Sequence, residues 1–125
     1  MAVNEAGVVA AIHRVVSTTY PQAWVFKVVG SPMQMTGVPD LLVVVEGLLF
    51  GLEVKYVRPG ESVEHARSRA TPGQLVQIMK LRQAGAVAAV VTSPAEALAL
   101  IEDRLSERGE ERGEQDRGGD RPASR

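Results

Sequence analysis

Asp40, Glu53 and Lys55 are charged residues placed where the sequence otherwise runs apolar, and their spacing gives them a common address. Leu41-Leu42-Val43-Val44-Val45 and Leu48-Leu49-Phe50-Gly51-Leu52 flank Glu46-Gly47. Two such runs around a two-residue turn predict an antiparallel hairpin in which Val45 faces Leu48. Counting outward along the ladder sets Asp40 opposite Glu53 on one face, with Cβ atoms about 5 Å apart. Lys55, two residues further on, shares that face. Two carboxylates held opposite each other in a partly buried site repel, so one takes up a proton or the pair finds a cation. A hard divalent ion resolves the conflict: magnesium, or manganese in its place, binds through one or two carboxylates and leaves room for phosphate oxygens. A lysine ammonium beside such an ion stabilises charge that builds during attack on a phosphate. The competing reading is structural, with solvated charges at the strand ends and Lys55 neutralising Glu53.

The elements that must position these residues follow from the hydrophobic pattern. Val8, Val9, Ile12, Val15 and Val16 recur at helical spacing behind Asn4, a favoured N-cap, and the stretch stops before Pro21. Residues 23–29 are rich in β-branched and aromatic side chains, which predicts a strand with Trp24 and Phe26 in the core. Both faces of the hairpin are apolar, as in strands covered on two sides. Residues 56–70 are polar, carry Pro59-Gly60 as a breaker and predict a mobile loop. Thr71-Pro72-Gly73-Gln74 opens the next helix with a capping box, and Gly85 stops it. Residues 86–91 predict a short buried strand, and Ser93-Pro94-Ala95-Glu96 starts a last helix that ends at Leu105. From Ser106 onward the composition turns to Glu, Arg, Gly, Asp, Gln and Ser, which predicts a disordered charged tail over residues 106–125. The expected fold is one α/β domain over residues 1–105, in the order α-β-β-β-α-β-α, with a mixed four-stranded sheet flanked by helices.

Composition narrows the chemistry. A length of 125 residues with 45% apolar side chains suits one domain with a buried core. The chain has no cysteine, which excludes a disulfide scaffold, a thiolate metal site and a cysteine nucleophile, and points to the cytoplasm. The longest apolar run, Leu41 to Val45, is too short to cross a bilayer, so neither a membrane span nor a signal segment is expected. No phosphate-cradling glycine loop or dinucleotide fingerprint is present, so no nucleotide cofactor is expected. The formal net charge is −1, and any nucleic-acid binding must rest on local charge.

The segment Gly37-Val38-Pro39-Asp40, twelve intervening residues and then Glu53-Val54-Lys55, set on this order of elements, resembles the PD-(D/E)XK nuclease superfamily. Within it, the likeness is greatest to the VRR-NUC group of small, often phage-encoded or repair-associated nucleases. The resemblance spans nearly all of residues 1–105 and implies a restriction-endonuclease-like architecture. It implies that Asp40, Glu53 and the carbonyl of Val54 are metal ligands and that Lys55 orients or activates the attacking water. It gives Glu5 a role at a metal-bound water or a second ion, and Gln74 a role in positioning a water or a phosphate. Each of these two has a structural alternative: a carboxylate in a first helical turn is favoured by the dipole, and a glutamine three residues after Thr71 completes a capping box. The implied activity is magnesium-dependent endonucleolytic hydrolysis of DNA, selective for branched structures such as Holliday junctions and flaps; symmetric branched substrates and the small size of the chain suit a homodimer with two active sites.

Candidate phosphate contacts are Lys27, Arg58, His65, Arg67, Arg69 and Lys80, most of them in or near the segment that follows Lys55, although Glu61 and Glu64 dilute the cluster. His13 reads as a surface or partly buried histidine. Two further readings stay open: a non-catalytic nucleic-acid-binding or assembly module, and a nuclease that acts on RNA or only within a larger complex. Metal dependence separates the first from an enzyme, and a panel of substrates separates the second.

Overall fold

Asn4 caps the first helix as expected, its Oδ1 accepting the Gly7 amide at 2.8 Å, and α1 runs Glu5–Thr19. The computed structural model describes residues 2–30 and 35–117. β1 (Trp24–Lys27) is shorter than its apolar pattern, and β2 (Leu41–Val45) and β3 (Leu48–Val54) form the hairpin with Val45 opposite Leu48. Glu46 and Gly47 both take positive φ, 50° and 81°. That combination makes a type I′ turn, whose twist matches the strands and fixes their register. β1 pairs antiparallel with β2, and β4 (Val87–Val91) lies parallel to β3, so the sheet is mixed with order β1-β2-β3-β4.

One face of the sheet carries Leu41, Val43, Phe50, Leu52 and Val54 against Ile12 and Val16 of α1 and Ala97 and Ile101 of α4 (Pro94–Arg117). Each of the large side chains among these is fully buried, worth roughly 1.5–3 kcal/mol apiece. The other face is covered in part: α3 (Pro72–Gln83) packs on β3 and β4. The architecture is the expected α/β arrangement of a mixed four-stranded sheet flanked by helices.

Three expectations are corrected. Trp24 and Phe26 are not core residues. They stand 54% and 47% exposed and stack on each other, with ring centroids 5.5 Å apart and planes within 6°. They point to the face that α3 leaves open, at the edge of the sheet, where no element covers them among the described residues. Residues 56–70 are not all loop, because Ser62 caps a short helix, α2 (Val63–Ser68), through the His65 amide at 3.0 Å. The last helix also does not end at Leu105, since α4 continues through Arg117. Its polar second half is laced by ion pairs, Arg104 with Glu107 at 3.9 Å and with Glu111 at 3.6 Å, and Arg108 is tied back to Glu46 at 3.6 Å. Charged side chains that bury no apolar surface can still support a solvated helix in this way. The rest of the expected tail, residues 118–125, lies outside the described residues.

Candidate active site

The register of the hairpin carries Asp40 to a position across from Glu53. Val28 donates its amide to the Asp40 carbonyl at 2.9 Å, so the Asp40 backbone faces β1 and the Asp40/Glu53 pair is of the non-hydrogen-bonded kind, in which side chains approach most closely. Asp40 Oδ2 accepts the Val54 amide at 2.8 Å. In an extended strand the carbonyl of a residue points the same way as its amide, so the Val54 oxygen is directed to the Asp40 side of β3. Lys55 donates its amide to Val91 on the other side at 3.0 Å, which anchors β3 where its functional side chains emerge.

Glu53 is 1% exposed, and neither of its carboxylate oxygens has a hydrogen-bond partner. The nearest cation is Lys55, also buried, with Nζ 3.5 Å from Oε2. Burial pushes the Glu53 carboxyl up, the Asp40 charge pushes it further, and Lys55 pulls only part of the way back, so it sits at about 8. A buried carboxylate without donors is costly in either protonation state. Its neighbours Asp40, Lys55 and the Val54 carbonyl are the groups that a divalent ion joining Asp40 to Glu53 would meet. Among the described residues no group of three or more His, Cys, Asp or Glu comes together to hold a metal, so an ion at this carboxylate pair would take the rest of its coordination shell from a backbone carbonyl and waters.

Beside Asp40 opens a cleft of about 240 Å³ lined by Val28, Gly30, Met35, Thr36, Gly37 and Val38. Its wall depends on Gly37, at φ +85°, where an added Cβ would fall 2.3 Å from the Gly73 carbonyl oxygen. Only glycine allows the Gly37-Val38-Pro39-Asp40 segment to press this close to the start of α3. Gln74 is therefore near the segment that leads to Asp40, but its Oε1 accepts the Thr71 amide at 2.9 Å while Thr71 Oγ1 accepts the Gln74 amide at 3.2 Å. The capping box is formed, and the amide oxygen is engaged in it. Glu5 lies in the first turn of α1, with the Arg69 guanidinium within reach of its charge.

The basic residues divide into tied and untied groups. Arg67 pairs with Glu96 of α4 and donates to the Val90 carbonyl at 3.0 Å, which docks α2 onto the sheet. Arg69 binds Glu61 at 2.9 Å and the Tyr56 carbonyl, and His65 meets the same Glu61 at 2.6 Å. The Arg69 hydrogen bonds and the Arg58 amide hold Glu61 well below the usual carboxylate range. Lys27, Arg58 and Lys80 are exposed and in no ion pair among the described residues. The sequence reading also passed over Arg14, which lines a groove with His13 and Lys27. Its only sequence signal is a basic pair on a helix otherwise studded with alanine and valine.

No family model matches the sequence, and no curated protein matches it. Among solved structures the chain is similar to one described as a VRR_NUC domain, with 25% identity and a TM-score of 0.52, over 74% of this chain and 92% of the other. The chain has a VRR-NUC-like nuclease fold. The match covers most of the VRR_NUC domain structure, so the likeness is to the domain as a whole and not to one supersecondary unit. The VRR-NUC-like fold belongs to a nuclease-domain family, in keeping with the Gly-x-Pro-Asp and Glu-x-Lys segments. No helix among the described residues is long and apolar enough to cross a membrane.

Proposed function

We propose that the protein is a metal-dependent endonuclease that hydrolyses DNA phosphodiester bonds, selective for branched structures such as Holliday junctions and flaps. The observation that carries this reading is the Glu53 carboxylate, buried without a hydrogen-bond donor across the hairpin from Asp40 and 3.5 Å from Lys55. Asp40, Glu53 and the Val54 carbonyl would hold magnesium, or manganese in its place. Such an ion would lower the pKa of a bound water and polarise a phosphoryl oxygen. The ammonium of Lys55 offsets negative charge at the scissile phosphate and orients the attacking water from the floor of the site. Glu5 and Gln74 take supporting parts, Glu5 toward a water at the site mouth and Gln74 toward a phosphate once released from its cap. Lys27, Arg58 and Lys80 are the basic groups available to phosphates, while His65, Arg67 and Arg69 would have to exchange their present partners. The chain's lack of cysteine suits a cytoplasmic enzyme.

A homodimer belongs to the same reading, because a branched substrate presents equivalent strands to two sites related by a twofold axis. The stacked and half-exposed Trp24 and Phe26, which no element covers among the described residues, support a second copy as the partner.

The test is cleavage of a labelled panel, four-way junction, flap, single strand, linear duplex and RNA, by wild type and Lys55→Ala in magnesium, manganese or EDTA. The proposal expects metal-dependent nicking of the branched substrates that Lys55→Ala abolishes while keeping its metal-induced rise in melting temperature. If a folded wild type cuts nothing in either metal, the non-catalytic binding module takes its place.

A further inference from the structure

The segment after Lys55, the obvious place in the sequence for phosphate contacts, is largely neutralised within the fold: Arg67 is paired with Glu96, and Arg69 and His65 are paired with Glu61. Unpaired positive charge gathers elsewhere. A groove of about 370 Å³ runs between α1 and the sheet edge at β1, lined by Ala6, Val9, Ala10, His13, Arg14 and Lys27. Three of these six residues are basic and none is acidic. Neither Arg14 nor Lys27 forms an ion pair among the described residues.

The Lys27 end of the groove and the candidate site lie at the same end of the sheet. Lys27 stands opposite Leu41 in the β1/β2 ladder, and the next residue, Val28, donates its amide to the Asp40 carbonyl at 2.9 Å. Lys27 and Asp40 are thus one ladder position apart at the same end of the sheet, with the Lys27 side chain on the α1 face and the Asp40 and Glu53 side chains on the opposite face, so a strand lying in the groove reaches the site around the end of the β1/β2 pair. From Ala6 to Arg14 the helix advances about 12 Å, which matches three to four nucleotide steps at about 3.4 Å per step. Ala6 and Ala10 present only methyl groups to the groove, so a polyanionic backbone can lie close to the helix while the longer side chains of Arg14 and Lys27 flank it.

Building on the nuclease reading, we infer that the α1/β1 groove holds the phosphodiester backbone of one DNA strand leading into the Asp40/Glu53 site, with Arg14 and Lys27 as the phosphate contacts and His13 lining the path. Contacts of this kind position the strand and do not read bases. They give the groove a defined electrostatic signature, because each phosphate neutralised by a cation releases counterion and steepens the salt dependence of binding.

The experiment is fluorescence anisotropy of a labelled duplex and a labelled flap against the full chain, over a series of NaCl concentrations, in EDTA and in calcium. Arg14→Ala and Lys27→Ala are compared with wild type and with Arg112→Ala, a charge-matched change on the exposed surface of α4. Arg14→Ala and Lys27→Ala are each expected to lower the slope of log K against log salt by about 0.9 and to weaken duplex binding about eightfold near 0.1 M salt. Arg112→Ala should keep the wild-type slope. Melting temperatures matching wild type show that the variants are folded. A wild type that binds or cuts DNA while both groove variants keep its slope and affinity overturns the groove and leaves the nuclease reading standing. A wild type that neither cuts the panel nor binds either probe overturns both.

Discussion

Asp40 accepts the backbone amide of Val54 at 2.8 Å, so the carboxylate nearest the candidate site is also the group that closes the open end of the β2/β3 ladder. The two roles can be separated. Asp40→Asn keeps an oxygen acceptor for the Val54 amide and removes the charge that opposes Glu53. It is expected to melt at or above the wild-type temperature in EDTA, to lose the metal-induced rise in melting temperature, and to cut DNA roughly 10²–10³-fold more slowly. Asp40→Ala orphans the amide and should cost about 1–3 kcal/mol of stability as well. Melting curves with and without magnesium check both variants, and an Asn variant that still responds to metal would remove Asp40 from the ligand set.

Glu53 gives the metal-free protein a defined pH dependence. Its carboxyl sits at about 8 in the folded chain against an ordinary value of 4.5. Between those values the folded state binds more protons than the unfolded state, so stability is highest at the acid end and falls as pH rises from about 5 to about 8. Glu53→Gln is neutral throughout and should flatten that fall. The measurement is the difference in melting temperature between wild type and variant in EDTA across this range. A difference that grows in favour of wild type as pH rises would contradict the burial argument.

Gln74 is placed by the capping box, and two substitutions separate that role from one at the site. Gln74→Ala is expected to cost about 1 kcal/mol, or several degrees in melting temperature. Gln74→Glu preserves the box and should melt close to wild type. If Gln74→Glu is fully active as well as stable, its work is done at the helix end; a stable Gln74→Glu with impaired cleavage assigns it to the site.

The stacked pair Trp24 and Phe26 predicts an association that can be followed optically, because Trp24 is the chain's one tryptophan. A second copy docked on this face would shift the Trp24 emission to shorter wavelength as concentration rises. Trp24→Ser and Phe26→Ser together should convert the dimer to monomer in sedimentation equilibrium while leaving the fold intact, since neither side chain contributes to the buried core. A wild type that remains monomeric at high micromolar concentration excludes the homodimer.

What the sequence determined by itself is what local rules control. Two apolar runs closed by the two-residue Glu46-Gly47 turn have their register set by that turn, and the register sets Asp40 across from Glu53 with Lys55 beside them. The caps at Asn4 and Thr71 were equally legible, because each is written within four residues. What only the tertiary structure decided depends on partners far along the chain. Arg67 finds Glu96 and the Val90 carbonyl, and Arg69 finds Tyr56 and Glu61, which turns an apparent basic loop into a clamped segment. The same holds for Trp24 and Phe26: a β-branched and aromatic strand reads as core, yet its exposure depends on how far α3 reaches across the sheet. The helical continuation of α4 beyond Leu105 carries Arg108 to Glu46, residues brought together only by the packing of α4 beside the hairpin turn. Short-range geometry is fixed by backbone sterics and hydrogen bonding, while exposure and charge pairing are fixed by which surfaces the finished fold brings into contact.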